Sequence, residues 1–214
     1  MTNEIKAAQE EVAVLRSRIS TLGADGIDLL FRKARSHNKW TDAPITDDQI
    51  RRLYELVRMG PTANNGCPAR YLFIRTGENK AKLAECVAPG NKPKVLSAPV
   101  TAIIGYDTAY YENFDRLFPH KPEYKDMFAS DPKKAEAAAF RNSSLQGAYL
   151  ILAARALGLD TGPMSGFDNA AVDKAFFAET TIRSNFLCCL GTADLTGLFQ
   201  RLPRLQFDEV CELL

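Results

Sequence analysis

The chain has 214 residues, a length typical of one ordinary domain with its own hydrophobic core. Its 27 Lys and Arg side chains nearly balance 26 Asp and Glu, and the formal charge of +1 argues against nucleic acid or an anionic membrane as partner. The sequence has no run of 18 apolar residues, no features of a secretory leader, and five cysteines without metal-binding spacing, so we expect a cytoplasmic protein.

The N-terminal stretch has the pattern of an amphipathic helix. Apolar residues recur at steps of three and four over residues 4–22, between charged positions. Because such a helix gains little stability alone, we expect an arm of residues 1–23 that packs on the same or a neighbouring subunit. The remaining residues, 24–214, are expected to form one domain.

Helical and extended patterns alternate through the next hundred residues. A capping box that begins at Thr46 predicts a helix that ends near Gly60. The small and polar residues 62–68 predict a loop after it. The other elements expected in this part are short helices at 26–33 and 92–97, a helix at 77–87, and strands at 71–74 and 99–106.

A long helix is expected to organise the second half. Residues 133–157 follow a proline, and residues 148–154 are apolar on nearly all sides, so we expect this helix to be central and largely buried. The aromatic-rich residues 107–131 before it are expected to cover a pocket. After it we expect a short strand at 159–161, an irregular loop at 162–166, a helix at 170–177, a strand at 185–191 and a last helix from about residue 207.

The sequence contains no motif for a metal or a nucleotide. His37 and His120 are far apart, and neither has a His, Cys or carboxylate at ligand spacing, so no metal is expected. There is no P-loop and no G-x-G-x-x-G, and no Ser or Cys lies in a nucleophile motif. We therefore expect the chemistry to come from a bound cofactor.

The region around residue 160 resembles a known family. It runs Leu157-Gly158-Leu159-Asp160 and then Pro163-Met164-Ser165-Gly166-Phe167-Asp168, which is similar to the loop that borders the flavin in the nitroreductase family. The resemblance extends from about residue 30 to residue 214. Segments 140–146, 162–168 and 201–205 are similar to one branch of the family, the malonic semialdehyde reductases of pyrimidine degradation.

The resemblance implies a fold and an assembly. The expected fold class is α+β, a three-layer α/β/α sandwich with a mainly antiparallel sheet and a long central helix. The expected assembly is a homodimer that holds FMN at its interface. A flavin phosphate carries about −1.5 to −2 charge, and a chain of net charge +1 has no general attraction for it, so we expect guanidinium groups to converge there.

The resemblance also implies which residues bind FMN. Those expected at the phosphate side are Arg35, Ser36, His37 and Arg201, and those at the pyrimidine edge are Asn91 and Lys94. The flavin ring is expected to lie against Pro163, Met164, Ser165 and Gly166. A turn from the other subunit, or at the border of the shared site, is expected to contribute Pro61, Thr62 and Asn65.

The function implied is that of an FMN-dependent NAD(P)H oxidoreductase. It would reduce a small carbonyl compound, malonic semialdehyde to 3-hydroxypropionate, by ping-pong hydride transfer through flavin N5, with NADH and NADPH both open as donors. Three arginines are candidates to anchor the substrate carboxylate, Arg70, Arg141 and Arg183. A broad-specificity nitro and quinone reductase, a non-catalytic flavin-binding module and a cofactor-independent dimer remain alternatives.

Overall fold

The structure, a computed structural model, describes residues 3–214, and the chain divides into two units, Met1–Ala34 and Arg35–Leu214. The first unit contains helix α1 (Asn3–Arg18), helix α2 (Ala24–Ile27) and a π-helix (Asp28–Arg32). Helix α1 ends four residues earlier than predicted and has no buried residue. The arm of residues 1–23 and its packing partner stay predictions, and Met1 and Thr2 lie outside the described residues.

The second unit is built on a four-stranded sheet. Its strands are β1 (Ala69–Ile74), β2 (Val100–Asp107), β3 (Asp160–Met164) and β4 (Ile182–Gly191). They lie in the order β1-β2-β4-β3, and every neighbouring pair is antiparallel, which confirms the predicted sheet type. Strands β1 and β3 are therefore the two edges of this sheet.

Helices cover both faces of the sheet. In chain order they are α3 (Asp47–Val57), α4 (Gly77–Ala84), α5 (Lys92–Ser97), α6 (Phe114–Leu117), α7 (Glu123–Ala129), α8 (Pro132–Ala156) and α9 (Asn169–Phe176). A last helix, α10 (Phe207–Val210), lies in the C-terminal segment and has no buried residue. Successive side chains of a strand point to opposite faces. Ile104 of β2 accordingly packs in the core beneath α3 and α8, and Ile103 packs in the core beneath α4, α5 and α9. This confirms the predicted three layers.

Helix α3 begins as the sequence predicts. The backbone N–H of Gln49 donates to Thr46 Oγ1 at 3.2 Å, and the backbone N–H of Thr46 donates to Gln49 Oε1 at 2.8 Å. This reciprocal pair satisfies N–H groups that the first helical turn leaves without partners. No described helix is long and apolar enough to cross a membrane.

Helix α8 is central but not largely buried, which corrects the prediction. Nine of its 25 residues are buried. The apolar side chains of Phe140, Leu145 and Tyr149 are 39–49 % exposed in the single chain. A helix in an outer layer contacts the sheet with one face only, so its opposite face stays uncovered within one copy.

Strand β3 is longer than predicted. Residues 162–166 were expected to be irregular, but Gly162, Pro163 and Met164 continue the strand and pair with β4. A central strand has hydrogen-bonded neighbours on both sides and needs every backbone N–H, whereas an edge strand tolerates a proline, which has none. Strand β4 also begins earlier than predicted, at Ile182.

We expect Gly147→Ala to lower the free energy of unfolding by about 1–3 kcal/mol, because the added methyl group overpacks the contact between α8 and the sheet. A Cβ at this position would lie 2.4 Å from Cε1 of Phe186. Urea unfolding measures the change. The matched control is Gly77→Ala at the start of α4, where a Cβ would meet no atom within 4 Å. Equal stability of the two variants would contradict the packing argument.

Candidate functional site

The outer edge of β3 carries the segment 35–37. Ser36 and Thr161 form a parallel bridge, and the backbone N–H of His37 donates to the carbonyl oxygen of Thr161 at 2.9 Å. Gly162 permits this approach, because a Cβ there would lie 2.5 Å from the carbonyl oxygen of His37. The structure therefore places Arg35, Ser36 and His37 alongside β3.

The side chain of His37 is fixed by a carboxylate of the same chain. His37 is 8 % exposed, and its Nε2 lies 3.2 Å from Oδ1 of Asp160. The other oxygen of Asp160 accepts the backbone N–H of Ala193 at 2.9 Å. The imidazole is thus engaged on one side by Asp160, and Nδ1 is its remaining polar ring atom.

Several cations gather at this end of β3. The guanidinium of Arg35 donates to the carbonyl oxygen of Phe199, two residues before Arg201, so the two arginines expected at the phosphate lie in adjacent segments. Arg155, in the last turn of α8, has a lowered pKa, chiefly because of its partial burial and also because of the like charge of Arg201. Asp160 acts on Arg155 in the opposite direction. An excess of cations of this kind stabilises a bound anion.

The loop after β3 is tied to the turn before α5. Asn91 Nδ2 donates to the carbonyl oxygen of Gly166 at 2.9 Å, and the backbone N–H of Ala88 donates to the same oxygen at 2.9 Å. A Cβ on Gly166 would lie 2.7 Å from Asn91 Nδ2, so a side chain would displace this contact. Lys94 lies half-buried on α5, one turn after Asn91.

The residues at the end of β3 have side chains that are small or largely buried. Met164 is 9 % exposed and belongs to the core beneath α4 and α9, so its side chain offers little surface to a ligand. Pro163 is half-buried, and Ser165 and Gly166 are exposed. Small side chains leave the backbone accessible to a flat ligand.

The turn between α3 and β1 holds the other predicted residues, Pro61, Thr62 and Asn65. Asn64, Asn65 and Cys67 have φ angles of 54°, 48° and 43°, a left-handed conformation that is uncommon for residues other than glycine. Such conformations persist where the surroundings hold them, and they cluster at functional sites.

Two hydrogen bonds hold this turn in place. The backbone N–H of Ala63 donates to Oδ1 of Asn142 on α8 at 2.7 Å. Asn65 Nδ2 donates to the carbonyl oxygen of Leu117 at 2.9 Å. The turn is therefore fixed both to the long helix and to the aromatic-rich segment between β2 and α8.

The predicted residues form two groups at opposite edges of the sheet. The turn with Asn65 precedes edge strand β1, whereas the segment 35–37 and the loop at Gly166 flank edge strand β3. Three strand spacings of about 4.8 Å separate β1 from β3 by roughly 14 Å. One copy of the chain does not bring the turn next to the residues at β3.

The three candidate substrate anchors are not brought together. Arg70, in β1, lines a cavity of about 500 Å³ together with Asn65, and it makes an ion pair of 2.6 Å with Asp107. Arg141 is exposed on α8, and Arg183 is exposed in β4. Neither of them is among the residues that line this cavity.

Sequence reasoning missed three arginines near these sites. Arg155 lies in the cation group beside β3, and Arg58 and Arg116 line the cavity that contains Arg70. The available signals were an arginine in the last turn of an apolar helix, an arginine just before the Pro61 turn, and an arginine within the segment expected to cover a pocket. Among residues 3–214, no group of three or more His, Cys, Asp or Glu is arranged to hold a metal.

Comparisons with known proteins agree on one family. The model of the nitroreductase family matches residues 31–192. A protein of Cupriavidus pinatubonensis, provisionally named NADH dehydrogenase/NAD(P)H nitroreductase, is 54 % identical over 189 residues, which cover 87 % of this chain and 96 % of its own. A protein of Ralstonia pickettii with the same provisional name is 55 % identical over 186 residues, which cover 86 % of this chain and 95 % of its own.

A solved structure shares the fold. It is that of a nitroreductase from Exiguobacterium sibiricum in complex with FMN, and it matches with a TM-score of 0.79 at 20 % identity. The match covers 91 % of this chain and 99 % of that one.

The cation group at β3 generates a test of phosphate binding. If both arginines bind the phosphate, we expect Arg35→Ala and Arg201→Ala each to weaken FMN binding at least about tenfold, because each would remove a charge-assisted hydrogen bond. Riboflavin lacks the phosphate and should bind the variants and the parent equally. Fluorescence titration of the FMN-free protein measures both affinities.

The matched control for this experiment is Arg51→Ala, which removes an exposed arginine of α3. This variant should bind both flavins as the parent does. Unchanged FMN affinity in Arg35→Ala or Arg201→Ala, or an equal loss of riboflavin affinity, would show that these arginines do not contact the phosphate.

Proposed function

The chain belongs to the nitroreductase family, and from this premise we propose that it is an FMN-dependent NAD(P)H oxidoreductase that reduces a small carbonyl compound. The observation that carries the proposal is the group of cations beside β3 in a chain whose formal charge is only +1. A local group of guanidinium groups at the end of this strand matches the needs of a flavin phosphate.

The residues beside β3 offer groups suited to both ends of FMN. Arg35, Arg201 and the newly located Arg155 would bind the phosphate, and the backbone around Ser165 and Gly166 would lie against the ring. The strand between these two ends has five residues and spans roughly 16 Å at about 3.3 Å per residue. The two ends of the site are therefore held at a constant separation by regular secondary structure.

Lys94 has a distinct role in this proposal. With Asn91 it would face the pyrimidine edge, where negative charge develops when the flavin is reduced. Asn91 is already oriented by its hydrogen bond to Gly166, so it would bind the ring without loss of side-chain freedom. A cation that interacts more strongly with the reduced form favours reduction of the cofactor.

Bound FMN would supply hydride transfer, with two electrons and one hydrogen passing from NAD(P)H to the acceptor. With an aldehyde acceptor, the carbonyl carbon takes the hydride and the oxygen takes a proton from water, so the products are an alcohol and NAD(P)⁺. We assign malonic semialdehyde as the substrate and 3-hydroxypropionate as the product, supported by the likeness of segments 140–146 and 201–205 to that branch. Broad nitro and quinone reduction is the second candidate, and the names of the relatives favour it.

The proposal includes a homodimer. The turn with Asn65 and the residues at β3 lie at opposite edges of one sheet, so a second copy is needed to bring them together at each site. Two apolar surfaces are available for this contact: the exposed face of α8 with Phe140 and Leu145, and the exposed C-terminal segment with Phe199 and Leu202. A symmetric dimer would form two equal sites.

Reduction of the bound cofactor separates an enzyme from a flavin-binding module. We expect NADH or NADPH to bleach the flavin absorbance near its visible maximum when oxygen is absent, and an added acceptor to restore it. Anaerobic stopped-flow absorbance with malonic semialdehyde, a quinone and a nitro compound measures both half-reactions. A yellow protein that neither donor bleaches would contradict an oxidoreductase function.

Mixed dimers test whether each site is shared between copies. We expect Asn65→Ala and Arg201→Ala homodimers each to lose activity at low FMN, because every site in them lacks one residue. After subunit exchange, half of the dimers are mixed and each has one intact site, so activity should return to about a quarter of that of the parent. No recovery, with exchange verified by mass spectrometry, would place both residues in one copy's site.

A further inference from the structure

The cavity at the β1 edge, which we call the arginine pocket, is lined in part by Asn65, and within one copy it lies at the sheet edge opposite the residues at β3. It has a volume of about 500 Å³, which lies within the usual range for small-molecule sites. Its walls come from the end of α3, the turn before β1, the start of β1, the segment that contains α6, and α8. Among the described residues that line it are three arginines, Arg58, Arg70 and Arg116, and no Asp or Glu.

The three arginines differ in how far their charges are compensated. Arg70 is held by Asp107 at 2.6 Å and also donates to the carbonyl oxygens of Cys67 and Ala69, so it is a fixed part of the wall. Arg58 pairs with Glu55 at 3.3 Å, and both side chains are more than half exposed, so this pair contributes little.

The third arginine supplies the unbalanced charge. Arg116 is exposed, and within the part of the chain that the structure describes its side chain has no ion pair and no hydrogen bond. The pocket therefore has a net positive lining, although the chain as a whole is nearly neutral. A guanidinium with five N–H donors matches the two oxygens of a carboxylate.

A buried hydroxyl lies in the same wall. The hydroxyl oxygen of Tyr71 has no hydrogen-bond partner among the described residues, although it is buried. Burial raises its pKa, and the neighbouring Tyr54 and Cys67 raise it further, so the hydroxyl keeps its proton at neutral pH. A buried donor without a partner costs free energy that a ligand oxygen would recover.

The pocket is preorganised around these groups. The left-handed turn that includes Asn65 and Cys67 forms part of its wall, and the bond from Asn65 to the carbonyl oxygen of Leu117 joins this wall to the helix that carries Arg116. Gln146 of α8 accepts the backbone N–H of Ala69 at 2.9 Å, which fixes the floor. A site whose walls are already held in place binds without a large ordering cost.

We propose that the arginine pocket binds the carboxylate of the acceptor, so that the protein selects small carboxylate-bearing substrates. Arg116 and Arg58 bind the carboxylate, Arg70 positions the turn, and the Tyr71 hydroxyl donates to an acceptor oxygen. The inference rests on the proposed function, because the pocket meets a flavin only when the β1 edge of one copy faces the β3 edge of another. NAD(P)H is the reductant, the carbonyl carbon of the acceptor takes the hydride, and the carbonyl oxygen takes a proton from water.

The test compares two acceptors that differ in charge and little in shape, 4-nitrobenzoate and 4-nitrobenzamide. With the FMN-loaded protein, kcat/KM should be at least about tenfold higher for the benzoate. Arg116→Ala and Arg58→Ala should each remove most of this preference through KM for the benzoate, with KM for NAD(P)H unchanged. The matched control, Arg52→Ala, removes an exposed arginine of α3 that does not line the pocket and should keep the preference.

A binding measurement without turnover separates the two proposals. Calorimetric titration of the oxidised FMN-loaded protein should show that 4-nitrobenzoate binds at least about tenfold more tightly than 4-nitrobenzamide. This difference should be lost in Arg116→Ala. Failure of NAD(P)H to bleach the flavin would count against the proposed function alone. Equal binding of benzoate and benzamide would overturn the arginine pocket, as would an Arg116→Ala effect confined to KM for NADPH, which would assign the pocket to the donor phosphate.

Tyr71→Phe distinguishes ligand binding from a structural role. Removal of a buried hydroxyl without a partner should leave the midpoint of thermal unfolding unchanged or raised. Benzoate affinity should fall by about threefold or more, because the donor to the acceptor oxygen is lost. A fall in the unfolding midpoint with unchanged benzoate affinity would remove Tyr71 from the proposed site.

Discussion

The packing of segment 35–37 on the outer edge of β3 is the contact on which the proposed cofactor site depends. It requires an edge strand whose carbonyl at Thr161 is available and whose next residue, Gly162, has no side chain. Because the same strand continues directly to the loop at Gly166, residues at both ends of the site share one rigid element. Any change that shifts this segment from β3 would move the phosphate side of the site away from the ring side.

The small size of the sheet has a second consequence. With four strands, each edge lies close to the surface, and each carries some of the residues expected at a flavin site. Helix α8 reflects the same division, since one face packs on the sheet and the other presents Phe140, Leu145 and Tyr149 to solvent in a single copy. The exposed apolar area on the helix and the separation of the expected residues between two edges are independent observations, and both support the homodimer that we propose.

The sequence predicted elements whose signals are local. The capping box at Thr46 and the small residues of the turn before β1 act on the neighbouring backbone. They can therefore be recognised from the sequence without knowledge of the fold. The errors concern properties that only the assembled chain defines. Pro163 belongs to a strand because β3 is an edge, and edge position follows from strand order. The exposure of α8 likewise depends on which of its faces the sheet occupies, and the ion pair of Arg70 with Asp107 joins residues 37 positions apart.

The arginines show why site residues are harder to predict than elements. In sequence, Arg58, Arg70 and Arg116 are three of 27 basic residues, and the weak local signals near them do not show that they line one cavity. In the structure, Asp107 neutralises Arg70, whereas Arg116 faces the same cavity without a counter-charge among the described residues. The two arginines differ in whether a carboxylate lies beside them. A guanidinium that is paired with a carboxylate has a structural role, whereas one without a counter-charge attracts an anion. In a dimer that joins unlike edges, the cations at β3 and those at β1 would face opposite ends of one site, the first toward the cofactor phosphate and the second toward the acceptor.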